Sequence, residues 1–184
     1  VDGGKFVNTG GVILSTGQVS YVDRDITPIT TQRNVLLTTN KGVIRVEGDG
    51  LAGVFSNLEL IAKRVEVDAP ITNSQTETLA RVRLAGGSTV TEVNSQISVV
   101  DITNDWTSLT PGEASDNCPN AVCVDLTGRG SISSSKIEVA VTDAGAGVRL
   151  AGNMAAKASD MVLVSNGDIV ITGMLEAERN QIIT

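Results

Sequence analysis

Apolar residues come in short runs, each bounded by Gly, Asn, Asp or Pro. Val12-Ile13-Leu14, Val35-Leu36-Leu37, Val43-Ile44-Arg45-Val46, Leu58-Glu59-Leu60-Ile61 and Val65-Glu66-Val67 open the series. Arg81-Val82-Arg83-Leu84, Ile97-Ser98-Val99-Val100, Ile137-Glu138-Val139, Val148-Arg149-Leu150, Met161-Val162-Leu163-Val164 and Ile169-Val170-Ile171 complete it. Several alternate apolar with polar residues, the period of a strand with one wet face. The intervening Gly, Asn and Asp suit tight turns. The pattern therefore predicts many short strands.

The strands repeat. Leu150-Ala151-Gly152-Asn153-Met154-Ala155-Ala156 aligns with Ile171-Thr172-Gly173-Met174-Leu175-Glu176-Ala177 at an offset of 21, and the same offset sets Met161 on Ile182. Ile44-Arg45-Val46-Glu47-Gly48 falls on Val65-Glu66-Val67-Asp68-Ala69, again 21 residues on. A period of this size, built from short strands and turns, fits one coil of a parallel β-helix. Such a coil cannot bury its inner face alone, so neighbours must stack. The alternative is a β-sandwich, which also has short alternating strands. About nine coils, at ~4.8 Å each, would make a rod about 40 Å long. The 24 Val and 14 Ile, against one Trp, one Tyr and two Phe, suit inner ladders of β-branched side chains.

One stretch breaks the pattern. Asn104 to Asn120 is polar, contains Pro111 and Pro119, and has no apolar run. The expectation is a single β-helix domain over residues 1–184, with residues 104–123 forming a loop outside the rod. Trp106 is expected to pack that loop onto the rod.

Charge and composition narrow the chemistry. Fourteen basic against 21 acidic residues give a net charge of −7, which opposes nucleic-acid binding and polybasic membrane attachment. With no histidine, a Ser-His-Asp triad, a Cys-His pair and a His-containing zinc site are excluded. No stretch reaches the ~20 apolar residues of a membrane span. Val1 to Phe6 lack the basic start and apolar stretch of a signal peptide. The chain reads as a piece of something longer.

Carboxylates remain as candidates for acid–base or calcium chemistry: Asp23 with Asp25, Asp101 with Asp105, and Asp49. Asp23-Arg24-Asp25 reads as a turn with a local ion pair, and Asp49 as a turn between glycines. No two of these clusters recur at coil spacing on one face, so the solvated-turn reading stands above catalysis. No catalytic residue, cofactor or metal site is expected, and the chain is read as a non-enzyme. Cys118 and Cys123, close together with no other Cys in the chain, suggest a local disulfide; two free thiols are the alternative.

The ordered series of segments resembles the secretion domain of two-partner-secreted exoproteins, the filamentous haemagglutinin, haemolysin and contact-dependent-inhibition toxin group of Gram-negative bacteria. Gly3-Gly4-Lys5-Phe6-Val7-Asn8-Thr9 is similar to the family's Gly-Gly-Phe-Ile-Asn-Thr signature, and Val12 to Gly17 follows as its next strand does. Gly42 to Leu51, Leu58 to Ile71, Leu84 to Gly87 and Val124 to Ala151 resemble later segments. The family's Asn-Pro-Asn motifs are absent; Asn117-Cys118-Pro119-Asn120 is not one. The resemblance implies an all-β, right-handed parallel β-helix. It implies export through a partner outer-membrane β-barrel translocator with periplasmic recognition domains, to the bacterial surface or medium. It further implies a longer exoprotein, with a host or neighbouring-cell surface as a second partner. The alternative function is a carbohydrate-active or carbohydrate-binding β-helix domain.

Overall fold

The computed structural model describes residues 1–7, 9–101, 105–113 and 115–184. Asn8 of the N-terminal signature and Asn104 of the expected loop lie outside the described residues. The chain winds through three parallel sheets, with one strand in each per coil from the third coil on. The first coil supplies β1 (Asp2–Phe6) and β2 (Gly11–Ser15), and the chain then leaves for a hairpin of β3 (Gln18–Thr27) and β4 (Thr30–Thr39). It returns as β5 (Val43–Gly53) and β6 (Asn57–Ala62), then β7 (Arg64–Val67), β8 (Pro70–Asn73) and β9 (Arg81–Gly86). A second excursion makes β10 (Thr89–Val93) and β11 (Thr107–Pro111). The fourth coil is β12 (Val122–Leu126), β13 (Ser131–Ser134) and β14 (Lys136–Val141). The fifth is β15 (Gly147–Leu150), β16 (Asn153–Ala156) and β17 (Met161–Ser165). The last is β18 (Ile169–Ile171), β19 (Leu175–Ala177) and β20 (Gln181–Ile183).

Strand β5 serves two sheets. Its first half pairs with β7 and its second half with β1 and β8. The bend falls at Gly48 and Gly50, with φ of +62° and +77°. A Cβ at Gly50 would lie 2.0 Å from the Pro70 carbonyl oxygen of the next coil, so only glycine fits there. Sheet one is then β5, β7, β12, β15 and β18. Sheet two is β1, β5, β8, β13, β16 and β19; sheet three is β2, β6, β9, β14, β17 and β20.

The inner faces form continuous ladders. Val46, Val67, Leu126, Leu150 and Ile171 stand in register in sheet one. Leu51, Ile71, Ile132, Met154 and Leu175 do so in sheet two. Leu14, Leu60, Leu84, Val139, Leu163 and Ile183 line sheet three. The ladder residues of the inner coils belong to one buried cluster. They replace the water that each coil's inner face would meet alone, at ~25 cal/mol per Å² of apolar surface.

The offset of 21 holds where Ile44 pairs with Val65, Leu150 with Ile171 and Met154 with Leu175. It fails by one at the next corner. Met161 pairs with Gln181, and Ile182 with Val162. The corner before β20 is one residue shorter than the corner before β17. There are also six coils rather than nine, a stack rising about 24 Å. The missing length lies in the two excursions, whose strands form a separate antiparallel sheet in the order β11-β10-β4-β3. The stretch 104–123, expected as a loop, therefore contributes strand β11. Leu109 and its polar neighbours carry too weak an alternation to announce it.

Val67 is fully buried, whereas Ile171, expected inside a ladder, is 38% exposed because β18 belongs to the terminal coil. Val67→Asp should therefore cost roughly 3 kcal/mol or more, an unpaired carboxylate having replaced a core side chain. Ile171→Asp should cost less than half as much. Denaturant unfolding of the two variants beside the parent protein measures both.

Candidate recognition surface

The antiparallel sheet flanks sheet three as a wing. Its strands pair in the order in which the chain leaves and rejoins successive coils: β3 follows the first coil, β4 leads into the second, β10 follows the third and β11 leads into the fourth. Strand β3 is ten residues long and pairs on one side with β4. Among the described residues no strand pairs with its other side, which is an open edge, a row of backbone N–H and C=O groups facing away from the sheet. Val19 and Tyr21 project from it, 60% and 65% exposed. Ile26 and Ile29 stand exposed at the hairpin tip.

Ion pairs stiffen this edge. Arg33 donates to both oxygens of Asp23 across the β3–β4 pair, at 2.8 and 2.9 Å. Arg24 donates to Glu92 of β10 at 3.0 and 2.6 Å, and Asn34 adds a third bond at 2.6 Å. Asp23-Arg24-Asp25 is thus mid-strand, not a turn, and its pairs reach across strands. The Arg24 and Asn34 donors hold the Glu92 carboxyl down at about 2. The Arg33 hydrogen bond likewise lowers Asp23 below the ordinary carboxylate value.

Beneath the wing lies a buried charge ladder on the outer face of sheet three. Glu59, Arg83 and Glu138 stand in register on three successive coils. Glu59, with no exposed surface, accepts from Arg83 Nε at 2.6 Å and Arg81 at 2.9 Å. Thr107 of β11 donates to the same carboxylate at 3.0 Å and accepts from Arg83. Arg81 also reaches Asp105 at 2.7 Å and Glu138 at 3.2 Å. The alternating runs were read as strands with one wet face; these charges do face away from the rod core, but Glu59, Arg81 and Arg83 are buried, not wet. The second layer above them left no signal in the sequence.

The Cys pair sits at the corner where the chain re-enters the rod. Cys118 and Cys123 are joined, with an S–S distance of 2.00 Å, and both are buried. A short 3-10 turn, Pro119–Ala121, spans them. Beside them Lys63 donates to Ser115 at 2.8 Å, to Ser88 at 3.1 Å and to Asp143. Burial pushes the Asp143 carboxyl up, but bonds from Lys63 and Ser88 outweigh it and leave it below its ordinary value. Among the described residues, three potential metal ligands converge at Cys118, Cys123 and Asp143. There the sulfurs are bonded to each other and the carboxylate to Lys63, so no thiolate is on offer. Sequence reasoning missed Lys63, Ser88, Ser115 and Asp143, which come from separate corners.

Asp49, Asp23 and Asp105, singled out in the sequence, stand apart from one another. Asp49 lies at the bend of β5, Asp23 on the far strand of the wing, and Asp105 against Arg81. Trp106 is buried, its ring 3.2 Å from where a Cβ on Gly11 would sit. It thus fastens the excursion to the first coil.

A three-sheet parallel β-helix carrying an antiparallel wing defines the class of protein: a β-helix domain with a structured flank. The family model of the TPS secretion domain matches residues 1–171. The chain belongs to that family, whose members are exported to the Gram-negative cell surface. It is 27% identical over 179 residues to the tRNA nuclease CdiA-2 of Burkholderia pseudomallei (strain 1026b). It is 24% identical over 176 residues to the Toxin CdiA of Yersinia pestis. Each alignment takes in 96% of this chain but 5% of the relative, so the chain spans about one twentieth of their length. A filamentous hemagglutinin secretion domain, solved by crystallography, shares the fold at a TM-score of 0.65 and 15% identity. That match covers 100% of this chain and 68% of the other.

Glu92 supplies a pH test. Its folded pKa of about 2 lies below the ordinary 4.5, so its contribution is complete above pH 4.5 and is lost as pH falls toward 2. Melting curves across that window should show Glu92→Gln converging on the parent protein at the acid end and lying below it at pH 6.

Proposed function

We propose that the chain is the recognition and folding segment by which a longer exoprotein engages the periplasmic domains of an outer-membrane β-barrel translocator. The observation that carries this is the open edge of β3. An unpaired edge accepts an extended strand from a partner through main-chain hydrogen bonds, with side chains at alternate positions giving selectivity. Val19 and Tyr21 occupy those alternate positions on one face of β3. In this reading residues 1–184 act as one β-helix unit and residues 104–123 as its extra-helical element, clasped by Cys118–Cys123.

The role is mechanical, not catalytic. One relative is named as a tRNA nuclease and another as a toxin. A net charge of −7 and the absence of histidine suit this segment to export rather than to a nuclease's work. The payload belongs to the remaining length of such exoproteins, and a host or neighbouring cell is its proposed target. Outside the cell, each coil templates the next through strand pairing and stacked aliphatic side chains.

Val19→Lys with Tyr21→Lys places charge along the edge and opposes strand addition. Titration of the chain with the translocator's periplasmic domains should show binding weakened by roughly tenfold or more, with the melting midpoint unchanged. Equal binding by both proteins would remove β3 from the interface.

A further inference from the structure

We propose that the antiparallel sheet is a hinged wing that lifts from sheet three as one body while the six coils stay stacked. Such a hinge does not depend on the recognition role given to β3.

The first observation is what the wing buries. Thr107 points at Glu59 of sheet three, which fixes the underside of the wing. Cross-strand register puts Thr39, Thr89, Thr91 and Leu37 on that same side, together with the half-buried Val35, Val93 and Leu109. Thr107, Thr39, Thr89, Thr91 and Leu37 are buried there, and four of these five are threonines. Opposite them lie Asn57, Glu59, Arg81 and Arg83, with Ile61 and Ala85. Among the described residues, the hydroxyls of Thr39, Thr89 and Thr91 find no hydrogen-bond partner, nor does Nε1 of Trp106 or Nε of Arg81. A rod core of Val, Ile and Leu is strongly driven to stay closed. An underside that carries three unpaired hydroxyls among its apolar side chains is driven less strongly, since those groups regain hydrogen bonds on meeting water.

The second observation is where the wing is attached. The chain crosses between rod and wing four times, and each crossing carries a glycine: Gly17 before β3, Gly42 before β5, Gly87 before β10 and Gly112 after β11. Gly42 and Gly87 hold φ of +87° and +102°. The four crossings lie side by side at one end of the wing. Gly112 N–H donates to the Ser88 carbonyl at 2.7 Å, and Ser115 Oγ donates to the Asn40 carbonyl at 2.9 Å. Thr16 Oγ1 donates to the Lys41 carbonyl at 2.7 Å. Lys63 ties Ser88 and Ser115 to Asp143 of the rod. Hinges of this kind are a few residues at element ends that absorb the backbone change.

The third observation is that the wing is internally tied. Its strands pair continuously from β3 to β11, and Arg24, Asn34 and Glu92 span three of them. At the far end, contact between the described residues and the rod includes Thr107 on Glu59 and Arg83, Asp105 on Arg81, the Val99 carbonyl on Asn57, and the Trp106 and Val99 side chains against Gly11. Releasing these contacts frees the wing as a unit and bares the Glu59–Arg83 ladder.

Hydrogen exchange on the full chain tests this. The decisive strands are β4 and β10, each paired on both sides. They should exchange together with β3 and β11 as one group, roughly tenfold or more faster than β6, β9 and β14. Thr39→Val with Thr89→Val and Thr91→Val should slow that group by roughly tenfold and leave β6, β9 and β14 unchanged. Acrylamide quenching of Trp106, the only tryptophan, should fall in the same variant. Exchange of β4 and β10 at the rate of β6 and β9 in the parent protein would overturn the hinge, whatever the variant does. So would a variant that leaves wing exchange unchanged.

Discussion

Everything in this molecule depends on the parallel pairing of one coil with the next. A single coil has three short strands and no partner for its inner face. Its Val, Ile and Leu become core only when the neighbouring coil sets like residues on them at strand spacing. Register is therefore fixed twice, by main-chain hydrogen bonds and by the ladders inside. A slip of one residue would turn an entire inner row outward. The outer charges add a third constraint: Arg45 pairs with Glu66 and Asp125 with Arg149 across successive coils of sheet one. Pairs such as these, whose arginines stand in solvent, contribute little energy but penalise wrong neighbours.

The rod was legible in the sequence because its constraint is periodic. Ile44 on Val65 and Met154 on Leu175 share one offset along the chain, and that offset is the length of a coil. The wing was not legible, because its strands obey no coil period. Val35-Leu36-Leu37 reads like any other apolar run, yet it belongs to β4, where Leu37 faces the rod from outside. Strand β11 was hidden for a different reason. Its buried side chain is Thr107, so burial there has no hydrophobic signature. The coil count failed from the same cause, since length spent in the excursions adds nothing to the stack.

The candidate site divides along the same line. Cys118 and Cys123 stand out by spacing alone. The Lys63 corner assembles from residues 25 to 80 positions apart and needs the stacking to exist first. Glu59 shows how context changes a residue's meaning. In a one-layer rod it would be a solvated charge; under the wing it is a carboxylate held by two arginines and a threonine. A polar flank on an apolar rod gives one chain two kinds of cohesion. The rod is driven by the hydrophobic effect and suits folding from one end. The wing is held by hydrogen bonds and suits contact with a partner.

Stacking coil by coil has a direct mechanical consequence. When the chain is stretched between its ends in an optical trap, the terminal coil of β18, β19 and β20 should release first. Further extension should proceed in steps of about one coil, roughly 21 residues or some 70 Å of extended chain each. Release of the whole rod in a single step, with no pause at coil-sized intervals, would contradict nearest-neighbour stacking as the source of its stability.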